Sequence, residues 1–454
     1  MSQIPLPSAF KTQLQTRLGD DYPAFAAALD TSAPTSIRLH KMKKESIALP
    51  AAPDGAVPWH PRAHYLAERP SFTLDPNFHA GAYYVQEAAS MLVAFAFNQL
   101  RHHLGNQNLR VLDMCAAPGG KTTAILDELG DEDFLVANEV IQNRAGILRY
   151  NLTKWGYANV AVTNHDPQDF AGLEGFFDCI VVDAPCSGEG LFRRDPAARL
   201  EWTPEAVGHC NLRQQRILQQ TLPLLRPGGL LLYSTCTYNG VENEQQVAQL
   251  VADGYRHLPL AIPTEWNIET RNLGYQCYPH RTRSEGFYLA ALQKTEGTVY
   301  SPSRTSRFRK LMALTKKENR ALAARLPEMP DYFQTPDGLI RYLPGVHLAN
   351  WLALDAILRR QTFGTGVGVL KRDQLIPDAA LALSLDLPTS FAEMKITKAA
   401  ALKFLRGEVI ELPDAEPGWV RVCYGELGLG WAKKLPRRVN NYYPKGWRIR
   451  MKRH

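Results

Sequence analysis

The sequence predicts an α/β fold, built on a mostly parallel, doubly wound sheet with smaller domains on either side of it in the chain. Two patterns indicate it: short apolar runs alternate with helical stretches between residues 76 and 295, and glycine-rich turns follow some of these runs. Strands alternating with helices imply right-handed crossovers and a parallel sheet covered on both faces. A third observation is length, because 454 residues exceed one ordinary hydrophobic core and predict several domains.

Residues 1–75 are predicted to form a small N-terminal domain. The segment mixes helical and extended signals and ends in a proline-rich stretch that reads as loops. From Ile37 to Lys43, apolar and polar residues alternate as in a half-exposed strand, so the basic side chains there are expected to point outward.

Residues 76–295 carry the alternating pattern and are predicted to form the central domain. Its clearest strands are Leu109 to Met114, Phe134 to Ala137, Cys179 to Val182 and Leu230 to Tyr233. An open sheet of this kind binds ligands at the carboxyl ends of its strands. The turns that follow these runs are therefore the expected site.

Beyond residue 296 the alternation fades. Residues 296–385 are predicted to form a middle module, with a basic helical stretch over 301–330 that is most charged from Arg304 to Lys317. Residues 386–454 are predicted to form a β-rich C-terminal module containing a strand from Trp419 to Val422.

The positive charge is concentrated at the end of the chain, although the net charge of +7 is modest. Basic residues there alternate with aromatic ones, a mixture that suits RNA because cations neutralise phosphates and rings stack on bases. A solvated terminal face is the alternative explanation. The residues are Trp431, Lys433, Lys434, Arg437, Arg438, Tyr442, Tyr443, Lys445, Trp447, Arg448, Arg450, Lys452 and Arg453.

The cysteines indicate a reducing compartment. Seven are scattered along the chain without close pairs, which fits neither a disulfide framework nor a zinc site, so no metal is expected. The N-terminus lacks a basic stretch leading into an apolar run, and no segment approaches the roughly 20 apolar residues needed to span a bilayer. We expect a cytoplasmic protein without a membrane partner.

The strongest local signal is the turn after the first strand. Cys115, Ala116, Ala117, Pro118, Gly119, Gly120 and Lys121 form it. A phosphate loop would need glycine at position 115, and the dinucleotide fingerprint is absent. The other ligand commonly held here is S-adenosylmethionine, whose ribose and adenine need polar groups from later loops, and Glu139 and Asp166 stand at the expected positions.

Three motifs together resemble those of the RNA 5-methylcytosine methyltransferases, the Fmu and NOP2/Sun family. They are the turn from Cys115 to Thr122, the segment Asp183 to Gly190, and Ser234 to Thr237. The resemblance covers roughly residues 76 to 295 and implies a Rossmann-like domain that uses S-adenosylmethionine. It implies that Cys115 to Lys121, Glu139, Arg144, Asp166 and Asp183 line the cofactor site.

Methylation of cytosine at carbon 5 requires a thiolate, because carbon 5 becomes nucleophilic only after a thiolate adds to carbon 6. Cys186 and Cys236 both follow predicted strands, and their spacing does not decide which of them attacks. The resemblance assigns attack to Cys236 and release to Cys186, and it places Asp183 against the target ring. Arg193 and Arg194 are candidates for holding phosphates beside an extruded base.

The C-terminal region resembles the PUA-like RNA-binding module of the F group of bacterial 16S ribosomal RNA methyltransferases. The segments that carry the likeness are Tyr424 to Lys433 and Tyr443 to Arg448. The resemblance implies 16S ribosomal RNA in the small subunit as substrate, RNA-binding domains at both ends, and a monomer. Transfer RNA as substrate, a non-catalytic ribosome assembly factor, and a methyltransferase of protein or DNA are the alternatives.

Overall fold

A large mixed sheet organises the chain in the computed structural model, which describes residues 4–43, 47–105, 108–302, 307–323, 326, 329, 331–372, 374–388, 390–411 and 415–451. A small sheet precedes it in the chain and two others follow it. Within the described residues, no helix combines the length and the apolar character needed to cross a membrane.

The N-terminal region is a helical hairpin followed by an antiparallel sheet. The helices are α1 (Ser8–Leu18) and α2 (Tyr22–Ala28), and a short helix α3 (Pro76–His79) precedes the last strand. The strands lie in the order β2-β3-β1-β4. They are β1 (Thr35–Leu39), β2 (Pro53–Ala56), β3 (Ala63–Leu66) and β4 (Tyr83–Val85).

The predicted strand from Ile37 to Lys43 ends at Leu39, and the expectation that its basic side chains point outward holds for Lys41 but is wrong for Arg38 and Lys43. Arg38 is fully buried, and its guanidinium donates to Asp127 Oδ2 at 2.9 Å, Gln86 Oε1 at 2.9 Å and Thr123 Oγ1 at 2.6 Å. Lys43 is also buried and donates to the carbonyl oxygens of Lys154 and Leu383. Alternation alone could not reveal these inward-facing cations, because their partners lie far away in the sequence.

The central sheet contains the strands predicted between residues 76 and 295, together with others. The order is β11-β12-β13-β9-β8-β5-β6-β7, with β10 paired to β13. The strands are β5 (Arg110–Asp113), β6 (Phe134–Asn138), β7 (Val160–Thr163), β8 (Phe177–Asp183), β9 (Leu225–Thr235), β10 (Tyr255–His257), β11 (Glu269–Arg271), β12 (Gly274–Cys277) and β13 (Phe287–Lys294).

The strands from β5 to β9 form the parallel, doubly wound part that the sequence predicted. Parallel pairs join β5 to both β6 and β8, and extend outward to β7 and β9. The chain reverses direction across the sheet at β5 and β8, and a crevice at such a switch point is where this architecture binds ligands. The remaining strands at the β9 edge are antiparallel.

Alternate residues of the parallel strands enter two separate cores, which explains why the strands read as continuous apolar runs. Val111 and Leu135 belong to one core, whereas Leu112 and Val136 belong to the other. Helices cover both faces of the sheet. They are α4 (Leu92–Leu100), α5 (Gly120–Leu126), α6 (Gln142–Trp155), α8 (Pro204–Thr221) and α9 (Glu244–Ala252), whereas the short helix α7 (Ala198–Glu201) packs with the N-terminal helices.

The middle region forms a sheet in the order β14-β15-β16-β18-β19 and lends one strand, β17, to the central sheet. Its strands are β14 (Met312–Ala313), β15 (Tyr332–Gln334), β16 (Ile340–Tyr342), β17 (Gln361–Phe363), β18 (Thr365–Lys371) and β19 (Gln374–Pro377). Its helices are α10 (Lys316–Ala323), α11 (Leu348–Ile357) and α12 (Ala379–Leu383). Among the described residues of the predicted helical stretch over 301–330, only α10 is helical. Residues 307–315 contain β14 instead, and Arg304 lies outside the described residues.

The C-terminal sheet has the order β20-β21-β22-β23, and α13 packs against it, while α12 of the middle region contacts β22. Its elements are β20 (Ala392–Lys395), α13 (Lys398–Leu405), β21 (Gly418–Tyr424), β22 (Leu427–Leu435) and β23 (Arg438–Asn441). The predicted strand from Trp419 to Val422 falls within β21.

The aromatic residues of this region are not all available to stack on bases. Trp431 and Tyr443 are 1% and 3% exposed and pack in cores, whereas Tyr442 is 42% exposed. Arg437, Arg438, Lys445 and Arg450 are exposed, and Lys452 and Arg453 lie outside the described residues. The predicted basic surface is therefore present, but two of the four aromatic residues, Trp431 and Tyr443, are packed in hydrophobic cores.

Candidate active site

The glycine-rich turn follows β5 and leads into α5 at the switch point of the sheet. Gly119 has a φ of 110°, a left-handed conformation that favours glycine. A Cβ there would also approach Leu148 Cδ1 to 3.2 Å. Ala116 N donates to Asn138 O at 2.8 Å, which fixes the turn to the end of β6. The local sequence thus lets the backbone turn tightly while leaving one side open to a ligand.

A cavity of about 270 Å³ opens beside this turn. One wall is formed by Asp113 and by residues of the turn, including Cys115 to Pro118, Gly120 and Lys121. The opposite wall comes from segments far away in the chain, including Tyr84 to Glu87 and Glu285 to Phe287. Asp183, Arg194 and Cys236 also line it.

Asp113 is a cavity residue that was not among the predicted site residues. It is buried, and its Oδ2 accepts a hydrogen bond from Thr122 Oγ1 at 2.6 Å. Its Oδ1 has no hydrogen-bond partner among the described residues. Burial raises the pKa of this carboxyl to about 7. Its place at the end of the first parallel strand was the signal that could have found it.

Glu139 and Arg144 lie next to the glycine-rich turn, outside the cavity wall. Glu139 is buried and accepts a hydrogen bond from Ile141 N at 2.9 Å, and its Oε2 lies 3.5 Å from Arg144 Nη1. Arg144 Nη2 donates to Ala117 O at 2.8 Å. Neither is among the described residues that line the cavity, so both stand next to the predicted cofactor site without forming its wall.

Asp166 is not brought to the cavity. Its carboxylate pairs with Arg216 of α8, with Oδ2 lying 2.9 Å from Arg216 Nη2. Its Oδ1 accepts a hydrogen bond from Gln168 N at 3.3 Å. The strand order placed Asp166 at the correct edge of the sheet, but the ion pair with Arg216 could not be read from the sequence.

Cys186 and Cys236 meet at the ends of the adjacent strands β8 and β9. Their sulfur atoms are 3.2 Å apart, and Cys236 N donates to Cys186 Sγ at 3.3 Å. The hydrogen bond with Cys236, followed by burial, raises the pKa of the Cys186 thiol well above its ordinary value. Cys186 therefore keeps its proton and can donate a hydrogen bond to the sulfur of Cys236, which is a residue that lines the cavity.

Lys121 and Asp183 form an ion pair beside these sulfurs. Lys121 Nζ lies 2.7 Å from Asp183 Oδ2, and Ser234 Oγ donates to Asp183 Oδ1 at 2.8 Å. Burial lowers the pKa of Lys121, but the charge of Asp183, its hydrogen bond to the lysine and the charges of Cys236 and Asp113 together raise it overall. The lysine therefore stays charged and interacts favourably with a negative charge on Cys236.

Buried polar contacts hold the two cysteine loops rigid. Glu242 accepts hydrogen bonds from Ser187 N at 2.9 Å and from Gln214 Nε2 at 3.0 Å. Glu189, which begins a short 3₁₀ helix, accepts from Tyr238 N at 3.0 Å. Positions fixed in this way keep the sulfurs aligned before any substrate arrives.

Of the two arginines after Cys186, Arg194 alone faces the cavity. Arg193 donates to Thr31 Oγ1 and Ser32 O, each at 2.8 Å, which ties this loop to the N-terminal helices. The hypothesis that both arginines hold phosphates therefore applies to Arg194 rather than to Arg193.

Three family profiles match the chain in succession. The N-terminal domain of 16S rRNA methyltransferase RsmF matches residues 6–88, 16S rRNA methyltransferase RsmB/F matches 103–293, and the methyltransferase RsmF PUA domain matches 391–449. The ribosomal RNA small subunit methyltransferase F of Escherichia coli O127:H6 is 30% identical over 472 residues, covering 97% of this chain and 96% of that protein. The protein of the same name from Salmonella arizonae is 31% identical over 477 residues, with the same coverage.

Solved structures agree in fold. A methyltransferase homologue from Pyrococcus horikoshii is 27% identical, with a TM-score of 0.53 over 64% of this chain and 96% of that chain. Fold, site and matches together define an RNA methyltransferase with an N-terminal domain and a PUA domain, an enzyme that requires a methyl donor. More specifically, the chain belongs to the RsmB/F family of 16S rRNA methyltransferases, which confirms the resemblance seen in the motifs.

Proposed function

We propose that this enzyme transfers the methyl group of S-adenosylmethionine to carbon 5 of a cytosine in 16S ribosomal RNA, with Cys236 as the nucleophile. The observation that carries the proposal is the pair of sulfurs 3.2 Å apart, at Cys186 and at Cys236, which lines the cavity. Two cysteines placed in this way are not needed for RNA binding alone.

The residues around the cavity fit S-adenosylmethionine. The turn from Cys115 to Lys121 offers small residues and exposed backbone, and the unpartnered Asp113 Oδ1 offers an acceptor to a cationic ligand. Glu139 and Arg144 would steady this turn, and Asp166 remains a candidate that would have to leave Arg216. When bound, the cofactor supplies an electrophilic methyl group.

The chain's own residues would carry the rest of the reaction. Cys236 sulfur would add to carbon 6 of an extruded cytosine, which places an electron pair at carbon 5. Carbon 5 would then attack the methyl carbon as its bond to the sulfonium sulfur breaks, and that bond's electron pair stays on the sulfur. Lys121 stabilises the Cys236 thiolate, and Asp183 contacts the ring near N3. Solvent water, acting as the base, would then take the carbon 5 proton. The electron pair of that C–H bond restores the ring double bond, and the sulfur–carbon 6 bond breaks with its electrons returning to Cys236, with Cys186 assisting this release.

The domains on either side suggest how RNA is held. We assign residues 1–75 and 386–454 to RNA binding, 76–295 to catalysis and 296–385 to a middle module. Exposed Arg437, Arg438, Lys445 and Arg450 supply positive charge at the PUA domain. We further infer a monomer that acts in the cytoplasm, where 16S ribosomal RNA is found.

Bisulfite sequencing of ribosomal and transfer RNA, from cells with and without the protein, tests the proposal. We expect a 5-methylcytosine in 16S ribosomal RNA that disappears with the protein. If the methylcytosine is lost from transfer RNA alone, transfer RNA is the substrate instead of 16S ribosomal RNA. If no methylcytosine is lost from any RNA, the proposed activity is contradicted. Purified protein with naked 16S RNA or assembled small subunits then separates the two forms of substrate.

A further inference from the structure

Glu285 has a carboxyl group that is buried in the cavity wall without a hydrogen bond. The residue precedes β13 and is 5% exposed. Neither carboxyl oxygen accepts a hydrogen bond from the described residues. Arg193 Nη1 is 3.9 Å from Oε1, beyond hydrogen-bond distance. Burial of such a group is unfavourable unless a partner arrives, which points to a ligand donor in the cavity.

The Glu285 segment is held against the backbone of the proposed nucleophile. Gly190 N donates to Cys236 O at 2.8 Å. A Cβ on Gly190 would lie 2.8 Å from Cys236 O and 2.5 Å from Gly286 O, so the three backbones touch where only glycine fits. Glu285 and Cys236 line the same cavity. A pyrimidine held by the sulfur would therefore occupy a space that Glu285 also borders.

Other carboxylates in the cavity already have partners. Asp183 uses one oxygen for Lys121 and the other for Ser234. Glu87 accepts hydrogen bonds from backbone amides, including that of Glu285 at 3.0 Å. Among these carboxylates of the inner wall, Glu285 has both oxygens free for a substrate.

We propose that Glu285 accepts a hydrogen bond from the exocyclic amino group of the target cytosine and thereby distinguishes it from uracil. Cytosine presents a donor at this position, whereas uracil presents an oxygen that a carboxylate repels. Asp183 would remain at N3. This inference rests on the proposed function, because it takes cytosine as the base.

The charges around Glu285 are mixed. Burial, and then the charge of Glu87, raise the pKa of Glu285 to about 7, while Arg193 and Arg194 lower it. Either protonation state leaves at least one oxygen able to accept from an amino group. The contact to cytosine can therefore form in either state. Discrimination against uracil requires the ionised carboxylate, because a protonated carboxyl could donate to the uracil oxygen.

A double-mutant cycle between protein and base tests the contact. The protein carries Glu285 or E285A, and the RNA carries cytosine or 2-pyrimidinone, which lacks the amino group, at the target position. We measure the rate at which each protein forms the covalent adduct with each RNA. On cytosine, E285A should slow the adduct roughly tenfold to a hundredfold, the effect expected for a hydrogen bond to a charged group. On 2-pyrimidinone it should have little effect.

Any other outcome contradicts the proposed hydrogen bond between Glu285 and the amino group of cytosine. An equal loss on both bases would show a structural role, and no loss on either would show no role. A lowered affinity of E285A for S-adenosylmethionine would instead assign the carboxyl to the cofactor's amino group. E285Q keeps an acceptor oxygen and should retain more of the rate on cytosine, and the cycle is run with it if E285A does not fold. Glu265 is exposed, and E265A serves as the control.

Wild-type methylation of cytosine is measured in parallel. If the wild type methylates no RNA, the proposed function fails. If it methylates cytosine while the cycle shows no coupling, only the assignment of Glu285 fails.

Discussion

Arg38 of β1 and Asp127, which follows α5, form an ion pair with both side chains fully buried, and Nη1 lies 2.9 Å from Oδ2. The pair joins the N-terminal sheet to the catalytic domain behind the glycine-rich turn. Burial raises the pKa of Asp127 and lowers that of Arg38, even though each charge favours the other. Desolvation therefore opposes the pair, and its contribution is to fix one domain against the other.

Breaking this pair on one side should destabilise the protein strongly. D127A leaves the Arg38 charge buried without its partner, and we expect a loss of about 3–5 kcal/mol in the free energy of unfolding. The double variant R38M/D127L should recover part of it, because it removes both buried charges. Recovery is incomplete because the buried Trp155 Nε1 loses its acceptor, Asp127 Oδ1. Urea unfolding measures both.

The exposed pair Lys395 and Glu426 is the matched control. Its side chains are 59% and 62% exposed, so K395A should lower the free energy of unfolding far less than D127A does, because water screens an exposed pair. Equal losses in the free energy of unfolding for D127A and K395A would show that burial does not raise the cost of breaking an ion pair.

Substitution of the two active-site cysteines should have opposite effects on the covalent intermediate. C186A removes the group that assists release, so an adduct between protein and RNA should accumulate. C236A removes the attacking sulfur and should form none. Denaturing gel electrophoresis with labelled RNA measures the adduct, and C210A, which alters a cysteine on α8, should behave as wild type. An adduct with C236A and none with C186A would reverse the assignment.

The parallel part of the fold was predictable because β5, β6, β8 and β9 are apolar on both faces and stand between helices. The β13 strand was not predicted, although it is equally apolar. Its antiparallel place beside β9 is decided by packing. The pairing of β17 with β7 joins segments nearly two hundred residues apart, as Gln361 and Thr163 show, and no local pattern indicates it.

The site was predictable where residues follow strands in order. The Cys115 to Lys121 turn, Asp183 and Cys236 are together at the cavity as the motifs implied. Glu285 and Glu87 reach it only because distant segments fold over the sheet. The positions of Asp166 and Trp431 suggested contacts with the cofactor and with RNA. In the structure, Asp166 forms an ion pair with Arg216 and Trp431 packs in a core.

The stability of the protein should depend on pH through Asp113. Its pKa in the folded state, about 7, lies above the ordinary value of 3.8, so the native state binds the proton more tightly than the unfolded state. The stability contributed by the protonated form is complete below pH 4 and is lost as the pH rises towards 7.

D113N should remove this dependence while keeping an oxygen that can accept from Thr122. At pH 8 it should be more stable than the wild type by a few kcal/mol, and at pH 4 the difference should vanish. Thermal unfolding across this range measures the effect, and D20N, at an exposed aspartate, is the control. A constant difference at all pH values would show that Asp113 does not titrate in this range.

Binding of RNA to the PUA domain should depend on Arg437 and Arg438, which stand exposed where β22 turns into β23. If each neutralises one phosphate, R437A/R438A should weaken binding of 16S RNA and reduce the slope of log affinity against log salt concentration by about two. K371A/R372A removes two exposed cations from the turn between β18 and β19 and is the matched control. If both double variants reduce the salt slope equally, binding depends on overall charge. If only R437A/R438A reduces it, RNA phosphates bind at the PUA domain. Adduct formation on a short RNA that contains only the target loop should remain unchanged, because the cysteine cavity lies in the catalytic domain.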